Sequence, residues 1–180
     1  TPAIMYTGSG AISLLLAPGE KTNIFINQRE ICRRQSKLHR EKKSDEANVY
    51  YGGYLAGLSA EINKLNFQTE IDSDYPLFIQ ELKDKNAEEV KAYILEKQQS
   101  KLREIENLKA TKACKAVLHN AVNASAASLL MFVPQIVQRV HIVNYKLEGE
   151  ASKEYVKNNP VQLPDNFYDL LKDFSNLNTP

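Results

Sequence analysis

The longest uninterrupted pattern in the chain runs from Leu77 to Val133, a stretch that contains neither glycine nor proline. These two residues are the strongest local breaks in regular structure, and their absence favours continuous helix. Asn86 followed three residues later by Glu89 has the spacing of a capping box, which predicts that the main helix begins at Ala87. A single helix from Ala87 to Val133 would be roughly 70 Å long. We therefore expect one such helix, or two that meet end to end.

The polarity of this predicted helix changes along its length. Its first half carries a thin apolar stripe at Val90, Ile94, Leu102, Ile105 and Leu108. The interval from Glu96 to Lys101 has no apolar side chain, which predicts exposure to solvent or a charged contact with a partner. Charged residues become scarce from Ala110 onward. We therefore expect Leu118 and Leu130 to be buried and Gln98 to lie on the surface.

Pro134 marks the next boundary, because a proline inside a helix removes one backbone hydrogen bond and clashes with the preceding turn. We expect the helical region 77–147 to kink at this residue. Upstream, Asp74 has the position of an N-cap for a short helix that begins near Pro76. The long helix thus has a short helix before it and a bent continuation after it.

A second helical pattern lies nearer the N-terminus. Apolar residues recur there at alternating intervals of four and three, at Tyr51, Leu55, Leu58, Ile62 and Leu65. This spacing predicts a helix from Glu46 to Phe67. Gly52, Gly53 and Gly57 oppose it, since each costs roughly 1 kcal/mol relative to alanine in a helix interior. They would instead mark a kink or a close approach of another backbone.

The remaining segments complete an all-α expectation. Residues 1–21 are rich in glycine and proline and are expected to form an irregular arm, with residues 12–16 as one extended segment. Residues 22–67 are expected to form a helical hairpin arm, which opens on a short strand or a helix entry. Residues 148–180 are expected to form a connector and a C-terminal docking helix. The predicted fold is a single helical unit, an elongated hairpin or bundle around one long central helix.

Composition sets limits on the function. The chain of 180 residues has 23 Lys and Arg against 22 Asp and Glu, a net charge of +1, and 43% hydrophobic residues. This balance indicates a folded chain without a global attraction to nucleic acid or anionic membranes. The apolar stretch from Ala124 to Val140 falls short of the roughly 20 apolar residues of a spanning helix. No transmembrane span is expected.

Two isolated cysteines, Cys32 and Cys114, have no Cys or His neighbours at metal-binding spacing. They are typical of reduced thiols in an intracellular protein. The chain begins with Thr1 rather than methionine, which leaves a processed start, as in an organellar protein, or a truncated one. We expect an intracellular location in a compartment that the sequence does not identify.

The segment Arg29 to Lys43 holds seven cations against two acids, a local balance of 7 − 2 = +5. A cationic helix face is predicted there, formed by Arg29, Arg33, Lys37 and Arg40. Such a face can bind a phosphate backbone, an anionic lipid or an acidic protein. Alternatively, it is a solvated helix face whose positive charge is compensated by nearby acidic residues. No aromatic residue interleaves with these cations, which argues against stacking on bases.

Two aromatic clusters are candidates for protein contacts. Tyr50, Tyr51 and Tyr54 lie with Gly52 and Gly53 in a compact cluster that suits an interface, because tyrosine buries a large area while keeping a polar contact. Tyr51 and Tyr54 are the binding candidates in this cluster. Packing on the protein's own core explains the same cluster equally well. The C-terminal segment offers four apolar or aromatic side chains for docking on another surface, namely Phe167, Tyr168, Leu171 and Phe174.

No motif for catalysis or phosphate, dinucleotide or metal binding is present, and His39, His119 and His141 are scattered. We therefore expect no cofactor, no metal and no enzymatic activity. The leading hypothesis is a structural or scaffold subunit that bridges parts of a larger protein complex through long amphipathic helices. The alternative is a protein that binds nucleic acid or an anionic surface through Arg29–Lys43.

Overall fold

The computed structural model describes residues 2–7, 10–35, 49–65 and 67–171, of which residues 2–7, 10, 11, 13, 34 and 35 are described by their backbone alone. Over these residues the chain forms seven helices and four strands. The predicted predominance of helix is confirmed, with two small two-stranded sheets added to it. The chain divides into two compact units, residues 1–67 with 110–117 and residues 68–109 with 118–180, whereas the sequence predicts one.

Two antiparallel strand pairs lie in the first unit. β1 (Pro2–Thr7) pairs with β2 (Gly10–Leu15) as a hairpin. β3 (Thr22–Ile26) pairs with β4 (Val49–Gly53), which places Phe25 opposite Tyr50. The irregular arm predicted over residues 1–21 is wrong where β1 and β2 form, but the extended segment expected over residues 12–16 is confirmed up to Leu15 as part of β2. The prediction of helix over residues 49–53 is wrong. Strand hydrogen bonds come from another segment of the chain, whereas the helical spacing that we read is a purely local signal.

Two helices complete this unit. α1 (Gln28–Gln35) follows β3, and α2 (Ala56–Leu65) follows β4. The second half of the helix predicted over Glu46–Phe67 is thus confirmed up to Leu65. Ser59 of α2 is buried, and its hydroxyl accepts a 3.0 Å hydrogen bond from the backbone N–H of Leu15. The core contains Ile12, Ile31 and Val49, with Ile24 and Tyr51 packed against them.

The start of α5 (Lys112–Met131) also belongs to the first unit. The Thr111 hydroxyl accepts a 3.2 Å hydrogen bond from the N–H of Cys114 and so caps this helix. Glu61 of α2 accepts two bonds from Thr111, one from its N–H at 2.7 Å and one from its hydroxyl at 2.6 Å. The carboxylate therefore fixes the residue at which α5 begins.

The second unit contains the remaining helices, α3 (Tyr75–Glu81), α4 (Ala87–Glu106), α6 (Val133–Asn144) and α7 (Gly149–Asn158). The predicted cap of α3 is confirmed, since Asp74 Oδ1 accepts a 3.2 Å bond from the N–H of Leu77. The capping box of α4 is also confirmed, with bonds of 3.0 Å and 2.8 Å that join Asn86 and Glu89 in both directions. Local polar chemistry therefore identified both helix starts.

Of the two alternatives for Ala87–Val133, the single helix is wrong, because it is interrupted at residues 107–111 and at Phe132, and two helices, α4 and α5, occupy most of the segment. The break at residues 82–86 agrees with the short helix predicted before Ala87. α4 and residues 118–131 of α5 run antiparallel, since Gln98 contacts Asn123 and Glu106 contacts His119. An antiparallel hairpin lets two amphipathic helices bury apolar faces within one chain. A straight rod of the same residues would leave those faces exposed.

The predicted kink at Pro134 is confirmed. Pro134 lies in the first turn of α6, and α5 and α6 are bent by 74°. Leu118 and Leu130 are buried as predicted, but Gln98 is buried too, against the prediction. The core of this unit contains Ile71, Phe78, Ile79, Leu82, Ala87, Val90, Ile94, Ala126, Leu130, Val133, Val140 and Phe167.

Candidate partner-binding surface

The outer face of the β3–β4 ribbon presents aromatic rings to solvent. Side chains alternate between the two faces of a strand, so Ile24 and Tyr51 face the core while the cross-strand pair Phe25 and Tyr50 faces outward. Phe25 is 69% exposed and Tyr50 is 51% exposed. Tyr54, directly after β4, is 75% exposed. We call these three side chains, Phe25, Tyr50 and Tyr54, the aromatic surface.

Tyr51 does not belong to this surface. It is half-buried against the core of Ile12, Ile31 and Val49, and burial raises the pKa of its hydroxyl to about 12. Packing in the protein's own core therefore accounts for Tyr51, whereas Tyr54 is exposed as an interface residue needs to be. Sequence reasoning placed Tyr50 in the aromatic cluster without naming it as a binding candidate, and it did not select Phe25. The available signal was the run of β-branched and aromatic residues from Ile24 to Ile26, which is typical of a strand.

Gly53 fixes the end of the ribbon that leads into Tyr54. Its φ of +107° lies in a region that side-chain-bearing residues rarely adopt, and a Cβ there would lie 2.2 Å from the carbonyl oxygen of Lys21. Of the two roles expected for the glycines of this segment, a kink or a close approach of another backbone, the second therefore holds for Gly53. Gly53 holds β4 against the residue that precedes β3, and so positions the aromatic surface.

The basic face predicted on the first helix is described only in part. Arg29 is exposed. Arg33 binds Glu30 through both oxygens, with an Nη2–Oε1 distance of 2.6 Å and an Nε–Oε2 distance of 2.7 Å. Lys37 and Arg40 lie outside the described residues. Glu30 is itself buried, so one of the predicted cations serves to neutralise a carboxylate of the same helix.

The C-terminal segment packs on its own unit. Phe167 is 1% exposed and belongs to the core, Lys91 Nζ donates a 3.0 Å bond to its carbonyl oxygen, and the ammonium lies 4.4 Å from the ring centroid. Leu171 is half-buried against the same core, and Tyr168 is 39% exposed. Phe174 lies outside the described residues. The docking expected of this segment is therefore, for Phe167 and Leu171, an intramolecular contact.

A cleft of about 280 Å³ lies between α3 and α4 in the second unit. Tyr93 donates its hydroxyl hydrogen bond to Glu81, and Lys97 Nζ lies 3.2 Å from Glu81 Oε2. Hydrogen bonds from Tyr93 and Lys97 lower the pKa of the Glu81 carboxyl, while burial lowers the pKa of the Lys101 ammonium, which donates to the carbonyl of Gln68. The charges that line the cleft thus already have partners within the protein.

His141 and His119 each contact other side chains of the second unit. His141 is stacked between Tyr145 and Tyr155, with centroid distances of 4.3 Å and 4.1 Å. His119 Nε2 lies 2.9 Å from Glu106 Oε1. Among the described side chains there is no group of three His, Cys, Asp or Glu residues placed to hold a metal ion. The aromatic surface is therefore the feature whose exposure most needs a partner to explain it.

Comparisons with known proteins give no relative on which to base a function. No protein-family model matches the chain, and none of the curated proteins or solved structures that were compared matches it. Within the described parts of the chain, no single helix is long and apolar enough to cross a membrane, although α5 and α6 together satisfy that criterion as a bent pair.

Proposed function

We propose that this protein is a non-catalytic subunit of a larger protein complex, and that it binds a partner protein through the aromatic surface. The observation that carries this role is the cross-strand pair Phe25 and Tyr50, whose rings are 69% and 51% exposed on a short two-stranded ribbon. Large apolar side chains in a contiguous exposed patch are characteristic of interaction sites.

The chemistry of the three side chains fits a protein partner. Tyrosine and other aromatic residues are enriched in the cores of interfaces, because each ring buries a large area at little cost in side-chain entropy, and a tyrosine hydroxyl keeps a hydrogen bond. The ribbon holds the backbones of Phe25 and Tyr50 in fixed register, so less of the site has to be ordered when a partner binds. Such preorganisation lowers the entropic cost of binding.

A bridging role through one long helix is no longer the basis of this function, since α4 and α5 turn back on each other. A location inside the cell fits the two thiols, of which Cys32 is exposed and Cys114 buried. The partner interaction depends on neither the central helices nor the C-terminal segment.

A second candidate is single-stranded nucleic acid. Exposed aromatic rings on a sheet can stack on bases, and Arg29 is an exposed cation of the same unit. Binding to fluorescent oligonucleotides separates this candidate from a protein partner, because phosphate contacts weaken steeply between about 50 and 200 mM salt. Contacts through the aromatic surface alone would change little over that range.

Site-specific photocrosslinking in cells of the source organism tests the proposed function. A benzophenone amino acid is placed at Phe25, Tyr50 or Tyr54, and at the exposed Gln99 of α4 as the control. We expect one discrete protein adduct shared by the three positions and absent from the control. A Phe25→Ser substitution should abolish the adduct formed from position 54. Identical adducts from Gln99, or none from any position, would reject the interface.

A further inference from the structure

α7 rests on the second unit without contributing to its core. The helix lies wholly within the described residues, and none of its 10 residues is buried. The other helices that lie entirely in this unit, α3, α4 and α6, each bury two or more side chains. Burial of apolar surface is the main source of stability in water, so α7 gains little of that stabilisation.

α7 is also weakly stabilised from within. Its 10 residues make roughly three turns, and isolated helices shorter than about 12 to 15 residues are marginal in water. No described side chain caps its start at Glu148, whereas Asp74 and Asn86 cap α3 and α4. The ion pair between Lys153 and Glu150 is exposed at both ends and adds little. The helical state of α7 therefore depends on its contact with α6.

A ring stack and an amide from α6 hold α7 in place. The ring of Tyr155 lies parallel to that of His141, with 4.1 Å between the ring centroids and 3° between the ring planes. Gln138 Nε2 donates to the carbonyl oxygens of Val156 at 3.4 Å and of Asn159 at 3.1 Å. The last carbonyls of a helix lack partners within it, so the amide of α6 serves as a cap for the end of α7.

The chain on either side of α7 is fastened to the second unit by contacts that do not involve the helix. Before it, Asn144 Nδ2 donates a 3.2 Å hydrogen bond to the carbonyl oxygen of Ile79. After it, Val161 packs against the core and Phe167 belongs to it. Both attachments remain if α7 leaves α6. The helix can therefore detach and return while the rest of the unit stays folded.

We propose that α7 is a lid on α6 that opens and closes as one unit, with Tyr155 as its latch. Loop residues beside an element are the positions that absorb backbone changes in lid motions. Before α7 these are the residues around Lys146 and Gly149, which have φ values of +53° and +54°. Opening uncovers the imidazole of His141 and the amide of Gln138, so access to this face of α6 depends on the lid. The lid lies in the second unit and is independent of the aromatic surface.

Native-state hydrogen exchange of the full chain measures the opening. We expect the amides of residues 153–158 to be protected less than those of α4, with rates nearly constant at low urea, because a local opening exposes little surface. The α4 amides should exchange faster as urea increases. If the α7 amides share the rate and the urea dependence of α4, the helix opens only with the whole unit and the lid is overturned. Unprotected α7 amides would overturn it as well, since no closed state would then be populated.

Substitutions of Tyr155 test the latch. Tyr155→Ala removes the ring without lowering helix propensity, and it should speed exchange of the α7 amides about ten-fold, as the loss of an aromatic stack and its buried area predicts. Tyr155→Phe keeps the ring and should retain the original rate. Glu154→Ala, at the exposed neighbouring position, is the matched control and should change the rate by less than about three-fold. An unchanged rate in Tyr155→Ala would reject Tyr155 as the latch.

Limited proteolysis gives an independent measurement. Lys153 and Lys157 are trypsin sites within α7, and cleavage inside a helix follows the population of the open form when opening is fast. Tyr155→Ala should speed cleavage at these two sites about ten-fold and leave cleavage at Lys101 of α4 unchanged. Equal acceleration at Lys101 would show that α4 and α7 open together and would overturn the lid.

Discussion

Gln98 Nε2 donates a 2.8 Å hydrogen bond to Asn123 Oδ1 and joins the middle of α4 to α5. Gln98 is 5% exposed, so this amide pair lies inside the helical hairpin. A buried amide that keeps a partner costs little, whereas one that loses its partner carries the full desolvation penalty. The bond therefore favours the antiparallel register in which these two residues meet.

The first prediction reverses the expectation from the polar pattern, which placed Gln98 on the surface. Gln98→Ala should lower the free energy of unfolding by about 1 to 3 kcal/mol, because it leaves the Asn123 amide without this partner. Gln99→Ala, on the exposed side of the same helix, should change it by less than about 0.5 kcal/mol. Urea denaturation followed by circular dichroism measures both. Replacing Gln98 and Asn123 together by leucine should restore much of the loss, and equal effects of the two alanine variants would contradict the buried pair.

The second prediction concerns the charge-poor part of α5. Leu118→Ala and Leu130→Ala should each cost about 2 to 5 kcal/mol, because both side chains are almost fully buried and their removal leaves a cavity. Met131→Ala, next to Leu130 but 53% exposed, should cost much less. Thermal melts of the three variants test this contrast. A loss for Met131→Ala as large as that for Leu130→Ala would show that the inward face of α5 has been assigned wrongly.

Sequence patterns identified the features whose cause is local. The caps at Asp74 and Asn86 depend on side chains three residues away, and the bend at Pro134 depends on a missing N–H, so each can be read within one helical turn. The turn at residues 107–111 contains neither glycine nor proline and was missed. Its signal was Thr111, whose hydroxyl caps α5, but its second partner Glu61 lies 50 residues away along the chain.

The aromatic surface shows why the rest could not be predicted. Tyr51, Leu55 and Leu58 have helical spacing, yet Tyr51 lies in β4 because residues 22–26 supply its strand partners. Reading Tyr50 as outward and Tyr51 as inward requires the register with Phe25 and Ile24, and register is set by a pairing between distant segments. The sequence therefore indicated an aromatic cluster without indicating which of its rings face solvent.

The third prediction distinguishes three glycines that the helical pattern treated alike. Gly53→Ala should destabilise the protein by more than about 1 kcal/mol, since its φ is +107° and the new Cβ would meet the Lys21 carbonyl. Gly52→Ala meets only ordinary contacts, and its effect should be small. Gly57→Ala lies in α2 with open space around it and should stabilise the protein by up to about 1 kcal/mol. Chemical denaturation of the three variants gives the order, and a stabilising Gly53→Ala would contradict the structure of the ribbon.

The fourth prediction concerns the pH dependence of the contact between Glu61 and Thr111. Hydrogen bonds from the hydroxyl and then the N–H of Thr111 lower the pKa of the Glu61 carboxyl below its ordinary value of 4.5. Because the folded-state pKa is the lower one, this contact contributes its full stabilisation above that ordinary value and loses it as the pH falls through the folded-state pKa. Thr111→Val removes the hydroxyl and keeps the N–H, so it should raise the pKa of Glu61 part of the way back, whereas Thr111→Ser should retain the low value. Carboxyl NMR titration of the three proteins measures this order. An unchanged pKa in Thr111→Val would mean that the hydroxyl does not hold the carboxylate, and that the N–H of Thr111 alone lowers the pKa of Glu61.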